Sequence, residues 1–268
     1  MTGQIPLIVA RDEKDHANCP TCGMAVRVVR RVYDGEADHY VANMDWGDIG
    51  KVLPPQDPIT AAKLKALRQG KKTAALVGMA PTSCSLAPFD DESCEIWGLN
   101  EAHSFPWMKR ANRWFQIHET AIWKRYIAKR DVRGHADWLK KNPLDVPIYM
   151  QFWHELVPKS VGYPLHEVIE KYFRKFWRGD KNDIKYFTST FAYMMGVALL
   201  EDFTRIEIYG FEMADDEEWR HQKACAEFWI GLAMGRDVEI YTPPGCQLLF
   251  SNLYGGDDQG AGWGHAED

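Results

Sequence analysis

No run in this chain approaches the roughly 18 consecutive apolar residues that a membrane-crossing helix needs, so the sequence offers no spanning segment and no membrane partner is expected. The opening stretch MTGQIPLIVARDEKD lacks a charged region followed by a long apolar core, and it does not read as a signal peptide. Cysteine is scarce. Six in 268 residues are too few for a disulfide scaffold, and a reducing, cytoplasmic setting is expected. Excess basic charge is absent too, since 38 Asp and Glu outnumber 32 Lys and Arg for a net charge of −6. That balance argues against nucleic acid or an anionic membrane as a bulk electrostatic partner. Lys and Arg nevertheless cluster in 124–141 and 171–181, enough for a local basic groove.

Familiar phosphate cradles are missing as well. The fingerprint G-x-G-x-x-G is absent, with only Gly78 in the relevant loop, and no G-K-[ST] occurs. Pyrophosphate held in either of those cradles is therefore disfavoured. A single C-x-x-C exists, Cys19 and Cys22 in HANCPTCG, with no second to complete it. The C-P-x-C-G form is the knuckle of many zinc sites. His16 and His39 are candidates to complete a structural zinc, as are Asp15 and Asp38; an ordinary turn carrying two thiols is the other reading.

What is present suits a folded α/β chain. Hydrophobic residues make up 46%, and 11 Trp with 12 Phe supply a sizeable core. Residues 1–70 form a mixed N-terminal segment with the CPTCG knuckle, the connection LPPQDP and a linker helix over ITAAKLKALRQG that Gly70 closes. From 71 to 255 strand-like runs fall at 73–78, 94–99, 113–117, 146–150, 206–210 and 238–241. Helical patterns lie at 120–130, 135–142, 164–177, 188–202 and 218–235. Strands separated by helices imply crossovers, hence a mostly parallel sheet with helices on both faces. Residues 256–268, rich in Gly and acid, read as a flexible tail.

Ligands of such sheets sit beyond the carboxyl ends of the strands, and polar residues collect there. The loop Gly78, Ala80, Pro81, Thr82, Ser83 offers small residues and hydroxyls. It reads either as N–H donors for a phosphate at the start of a following helix or as a tight turn. Asn100 suits a ribose or base edge, or a helix N-cap. His118, beside Glu119, reads as a base, a bound-ligand contact or a satisfied surface histidine, and Gln151 follows the next strand. Thr188, Ser189 and Thr190 precede an apolar helix, where at least one is expected to be the N-cap. Glu212, Arg220 and His221 crowd beyond the fifth strand, and His221, among acidic neighbours, is the candidate general base.

The segments VGMAPTS, IWGLN, FTSTFAYMMGVAL and IEIYGFEM, in that order, resemble the sialyltransferase-like α/β proteins: bacterial sialyltransferases with a single Rossmann-like domain, and their relatives. APF…IWGLN, YPLHEVI, YFTST…YM and FWIGLAMGR.VEIYTPP resemble bacteriophage proteins of that group more closely. The resemblance covers roughly 72–255. Met79 stands where those sialyltransferases carry an Asn, Ala80 replaces a Gly, and Thr190 replaces a Gly. His221 falls near the catalytic His position, within a different surrounding motif.

The resemblance implies a nucleotide-sugar-dependent glycosyltransferase with a Rossmann-like domain binding a cytidine-type nucleotide. Residues 78–83 would meet the phosphates, Asn100 the ribose or base, 188–190 would close the site, and His221 would deprotonate the acceptor. With no D-x-D in the sheet region no catalytic metal is expected, and Arg113, Lys124, Arg125 or Arg220 would stabilise the leaving nucleotide. For a phage-encoded chain, a modified base in DNA is an expected acceptor and the host cytoplasm the location. The competing expectation is a protein that binds or sequesters a nucleotide without transfer chemistry.

Overall fold

The structure, a computed structural model, describes residues 16–18, 25–27, 58–80, 83–118, 134–176, 185–211, 213, 217–244, 246 and 248–249. The chain divides into two units, residues 1–55 and 56–268. In the first, β1 (His16–Asn18) pairs antiparallel with β2 (Ala25–Arg27). The zinc expectation on Cys19, Cys22 and His39 falls outside the described residues, and of His16 only its place in β1 is described.

The second unit opens with α1 (Pro58–Arg68), which Gly70 closes at φ +70°. Then follow β3 (Thr73–Val77), β4 (Cys94–Leu99), β5 (Arg113–Gln116), α2 (His135–Lys141), β6 (Ile148–Met150), β7 (Ser160–Gly162), α3 (Leu165–Tyr172), α4 (Thr190–Leu200), β8 (Arg205–Tyr209), α5 (Glu217–Met234) and β9 (Glu239–Tyr241). The seven strands β3 to β9 lie in the order β7-β6-β5-β4-β3-β8-β9, and every neighbouring pair is parallel. The expected parallel α/β sheet is therefore the observed one. Strand β7 adds an edge that the sequence pattern did not announce. The helix expected over 164–177 stops at Tyr172, because Phe173 turns into the core beside Trp229 (ring centroids 5.6 Å apart). The helix expected at 120–130 lies outside the described residues.

Both faces are covered, as continuous apolar strands require. On one face Ala74, Leu76, Trp97, Leu99, Phe115, Ile206 and Ile208 pack in a single cluster with residues of α3, α4 and α5. Helix α4 (TFAYMMGVALL) is apolar on nearly every side and buried from Phe191 to Leu199, apart from half-buried Tyr193, as an all-round hydrophobic helix must be. On the other face α1 reaches the sheet through a charge cluster. The Glu207 carboxylate of β8, 0% exposed, accepts from Arg68 Nε and NH2 (3.0 and 2.7 Å), Arg205 Nε (2.8 Å) and the Tyr209 hydroxyl (2.8 Å). Burial and the adjoining carboxylate push the Tyr209 phenol well above its ordinary pKa, so it remains a donor. No helix among the described residues is long and apolar enough to cross a membrane.

Candidate functional site

The strand order points to where a candidate site lies. From β3 the chain steps outward through β4, β5, β6 and β7, then returns to lay β8 on the other side of β3. Connections therefore diverge at the β3/β8 pair, and the crevice of such a sheet opens beyond the carboxyl ends there.

Two glycines bring the ends of β3 and β8 together. A Cβ at Gly78 would stand 2.2 Å from the Gly210 carbonyl oxygen, and Gly210 has φ +67° with the Gly78 carbonyl 2.9 Å from where its own Cβ would be. No other residue fits that approach. Gly78 N–H donates to Tyr209 O (2.8 Å), and Ala80 N–H to Gly210 O (2.9 Å). The Ser83 hydroxyl accepts from Gly210 N–H at 2.8 Å and is 6% exposed. These bonds correct two expectations. The Ala80 N–H and the Ser83 hydroxyl are spent pinning the loop, and the chain then enters a single 3-10 turn (Cys84–Leu86), which gives a phosphate no helix start. Among the described residues nothing accepts from the N–H groups of Met79 and Ser83, so these two donors remain open on the pinned loop. Pro81 and Thr82 lie outside the described residues. A Ser83→Ala variant strands the buried Gly210 N–H, and a loss of about 1–3 kcal/mol in unfolding free energy is expected from urea titration.

Asn100 follows β4 at φ +45° and opens a second 3-10 turn, Asn100–Ser104. It caps no helix. Its backbone carbonyl accepts from Trp114 Nε1 (3.1 Å), while its side-chain Oδ1 is buried without a hydrogen-bond partner among the described residues. At the start of α4, Ser189 occupies the N-cap position with extended backbone but makes no side-chain cap bond. Its Oγ is also buried and has no partner among the described residues. Helix α4 leads directly into β8, so its first turn stands at the carboxyl edge of the sheet; Phe191 there packs on Phe211, beyond β8 (centroids 4.8 Å apart). Thr190 is the first helical residue, and the Thr188 hydroxyl donates to the His221 carbonyl at 3.0 Å, joining the approach to α4 with α5.

His221 is exposed on the second turn of α5. Arg220 belongs to the same helix, but its side chain is not described, and Glu212 with the carboxylates at 215–216 lies outside the described residues. His118 is exposed two residues beyond β5, and its Nδ1 accepts from Gln116 Nε2 at 3.1 Å. Gln151 Nε2 donates to Ile117 O (2.9 Å), tying the ends of β5 and β6 together. Arg113 is a further correction. It starts β5 at the opposite edge and is held by Glu95 and Glu201 (2.8 and 2.5 Å), with its guanidinium over Trp97. It braces the sheet at the edge opposite the strands' carboxyl ends. Lys124 and Arg125 lie outside the described residues. The sequence reading missed Gln116, His103 and His135, which join His118 in one hydrogen-bonded row; a lone glutamine inside the apolar run RWFQI was the local sign. Among the described residues no group of three or more His, Cys, Asp or Glu is arranged to hold a metal.

No protein-family model matches the chain, and no curated protein does. Solved structures similar to it include the sialyltransferase CstII from Campylobacter jejuni with the substrate analogue CMP-3FNeuAc, at 13% identity and TM-score 0.41, covering 66% of this chain and 82% of that one. Another is the sialyltransferase CST-II with a trisaccharide acceptor and CMP, at 12% and 0.39 with the same coverage. An alpha-2,3-sialyltransferase from Campylobacter jejuni in apo form is similar at 15% and 0.38, covering 65% and 76%. At that level of likeness no residue role passes to this chain.

Proposed function

We propose that the carboxyl edge of the sheet binds a nucleotide sugar and that the chain transfers its sugar to an acceptor hydroxyl. The observation that carries this reading is the pair of buried, unpartnered side-chain oxygens, Asn100 Oδ1 and Ser189 Oγ, on the ligand edge. A buried polar atom without a partner costs free energy that the fold must offset; a bound ligand supplying the missing partner explains why both are tolerated. Asn100 meets the ribose or base, the open Met79 and Ser83 N–H groups face phosphate oxygens, and Ser189 with Thr190 closes the site from the helix. Gly78 and Ala80 shape the loop, and substrate or nucleotide contacts are assigned to Pro81, Thr82, Glu212 and Arg220. In the transfer step the acceptor oxygen forms a bond to the anomeric carbon as the bond from that carbon to the phosphate oxygen breaks. His221 takes the acceptor proton, and the nucleotide leaves with the electron pair. A modified DNA base of a phage is one acceptor class this reading includes.

The test is incubation with a panel of nucleotide sugars in the absence of acceptor. Slow release of free sugar and nucleotide, water standing in as acceptor, is expected. Recovery of every donor intact after tight binding would replace this reading with that of a nucleotide-sequestering protein.

A further inference from the structure

An amide nitrogen only donates and an amide oxygen only accepts, and this gives the row of hydrogen bonds behind His118 a direction. Gln116 Nε2 donates to His118 Nδ1 (3.1 Å), and Gln116 Oε1 accepts from His135 Nε2–H (2.9 Å). A neutral imidazole that donates at Nε2 has only a lone pair at Nδ1, so His135 Nδ1 accepts from His103 Nε2–H (2.9 Å). His135 does stay neutral. It is 5% exposed, and burial, with His103 and His118 nearby, pushes its pKa down to about 3.

The members of the row are held in place from several sides. Gln116 is 3% exposed at the last position of β5. His103 lies flat on Trp138 of α2 (centroids 4.5 Å apart, planes 7° apart), and Trp138 packs on Trp114 at 4.5 Å. Trp114 is the residue that holds the Asn100 carbonyl, so one cluster supports both Asn100 and His118. Turning the Gln116 amide alone would set donor against donor at His135, so the row reverses as a whole or not at all. At its far end, His118 is an exposed residue whose Nε2 has no partner among the described residues.

We propose that Gln116, His135 and His103 are positioning residues that hold neutral His118 with its proton on Nε2, presented at the carboxyl edge of β5 as an N–H donor to an anionic oxygen of the ligand. The identity of that oxygen as a nucleotide phosphate rests on the function proposed above. His118 then serves the departing phosphate, and the base role stays with His221. Orienting residues behind a histidine fix its tautomer in this way, and a donor aimed at developing negative charge is useful because it needs no reorganisation.

Imidazole nitrogen NMR on full chain with isotope-labelled histidine tests this, with a His118→Gln variant assigning the His118 signals. At an alkaline pH, His118 is expected as the Nε2–H tautomer in wild type. In Gln116→Glu, whose carboxylate can only accept, it is expected as Nδ1–H. The Nδ1–H form in wild type, or the same tautomer in both proteins, overturns the proposal. If the variant does not fold, the wild-type spectrum alone decides. At the same pH, cytidine monophosphate is expected to bind Gln116→Glu roughly 10- to 100-fold more weakly, the size of one hydrogen bond to a charged group. Equal affinity after a tautomer switch overturns the proposed donor role. Binding to neither protein sinks the nucleotide reading, and the tautomer result still decides the lock.

Discussion

Replacing His221 with alanine is expected to leave nucleotide affinity within a few-fold of wild type while sugar transfer falls by roughly 10²–10⁴-fold, the usual size of a general-base contribution. The side chain is exposed on α5, and the described contact at this position runs through its backbone, whose carbonyl accepts from Thr188. Truncation to alanine leaves that carbonyl in place, so the junction between α5 and the start of α4 survives. The loss should therefore appear in single-turnover transfer, with the donor's dissociation constant and the urea midpoint unchanged. Parallel loss of binding and rate would make His221 a ligand contact. Full activity in the variant would remove it from the chemistry.

The largest effect on stability is expected from Glu207→Ala. Glu207 is the shared acceptor for Arg68, Arg205 and Tyr209 in a place where water does not reach. Without it two buried guanidiniums lose their common counter-charge. Breaking a buried ion pair from one side costs about 3–5 kcal/mol, because the remaining charge stays desolvated. Asp91 still holds Arg68 (2.8 Å) and Glu239 still holds Arg205 (2.8 Å), which keeps the loss within that range. A fall in Tm of about 10 °C is the corresponding expectation for a chain of this size. A loss below about 1 kcal/mol in urea unfolding would show that these partners suffice.

The fold was legible where strands are buried along their length. TAALV, CEIWGL and RIEIY read as extended runs because a sheet covered on both faces needs apolar residues at every position, with exceptions only where a partner exists. Strand β7 escaped because Ser160–Gly162 is a short edge piece with Val161 and Gly162 exposed, so no apolar run marks it. For the candidate site, chain positions were legible and contacts were not. Asn100 and Ser189 could be placed at strand and helix ends, but that their oxygens lack partners is a fact of packing. Ser83 looked like a ligand hydroxyl because its partner, Gly210, is 127 residues away. The row behind His118 was hidden for the same reason, since His135 lies 19 residues from Gln116 and 32 from His103. Arg113 was misjudged because residue type suggested a phosphate donor, whereas its place at the first position of β5 puts it on the far edge.

Crystals of the protein grown with cytidine monophosphate bear most directly on whether the carboxyl edge is a nucleotide site. The predicted result is density for the nucleotide beyond β3 and β4, with its polar atoms within hydrogen-bond reach of Asn100 Oδ1 and Ser189 Oγ and its phosphate against the Met79 and Ser83 N–H groups. Nucleotide bound elsewhere, with both oxygens still unpartnered, would contradict it.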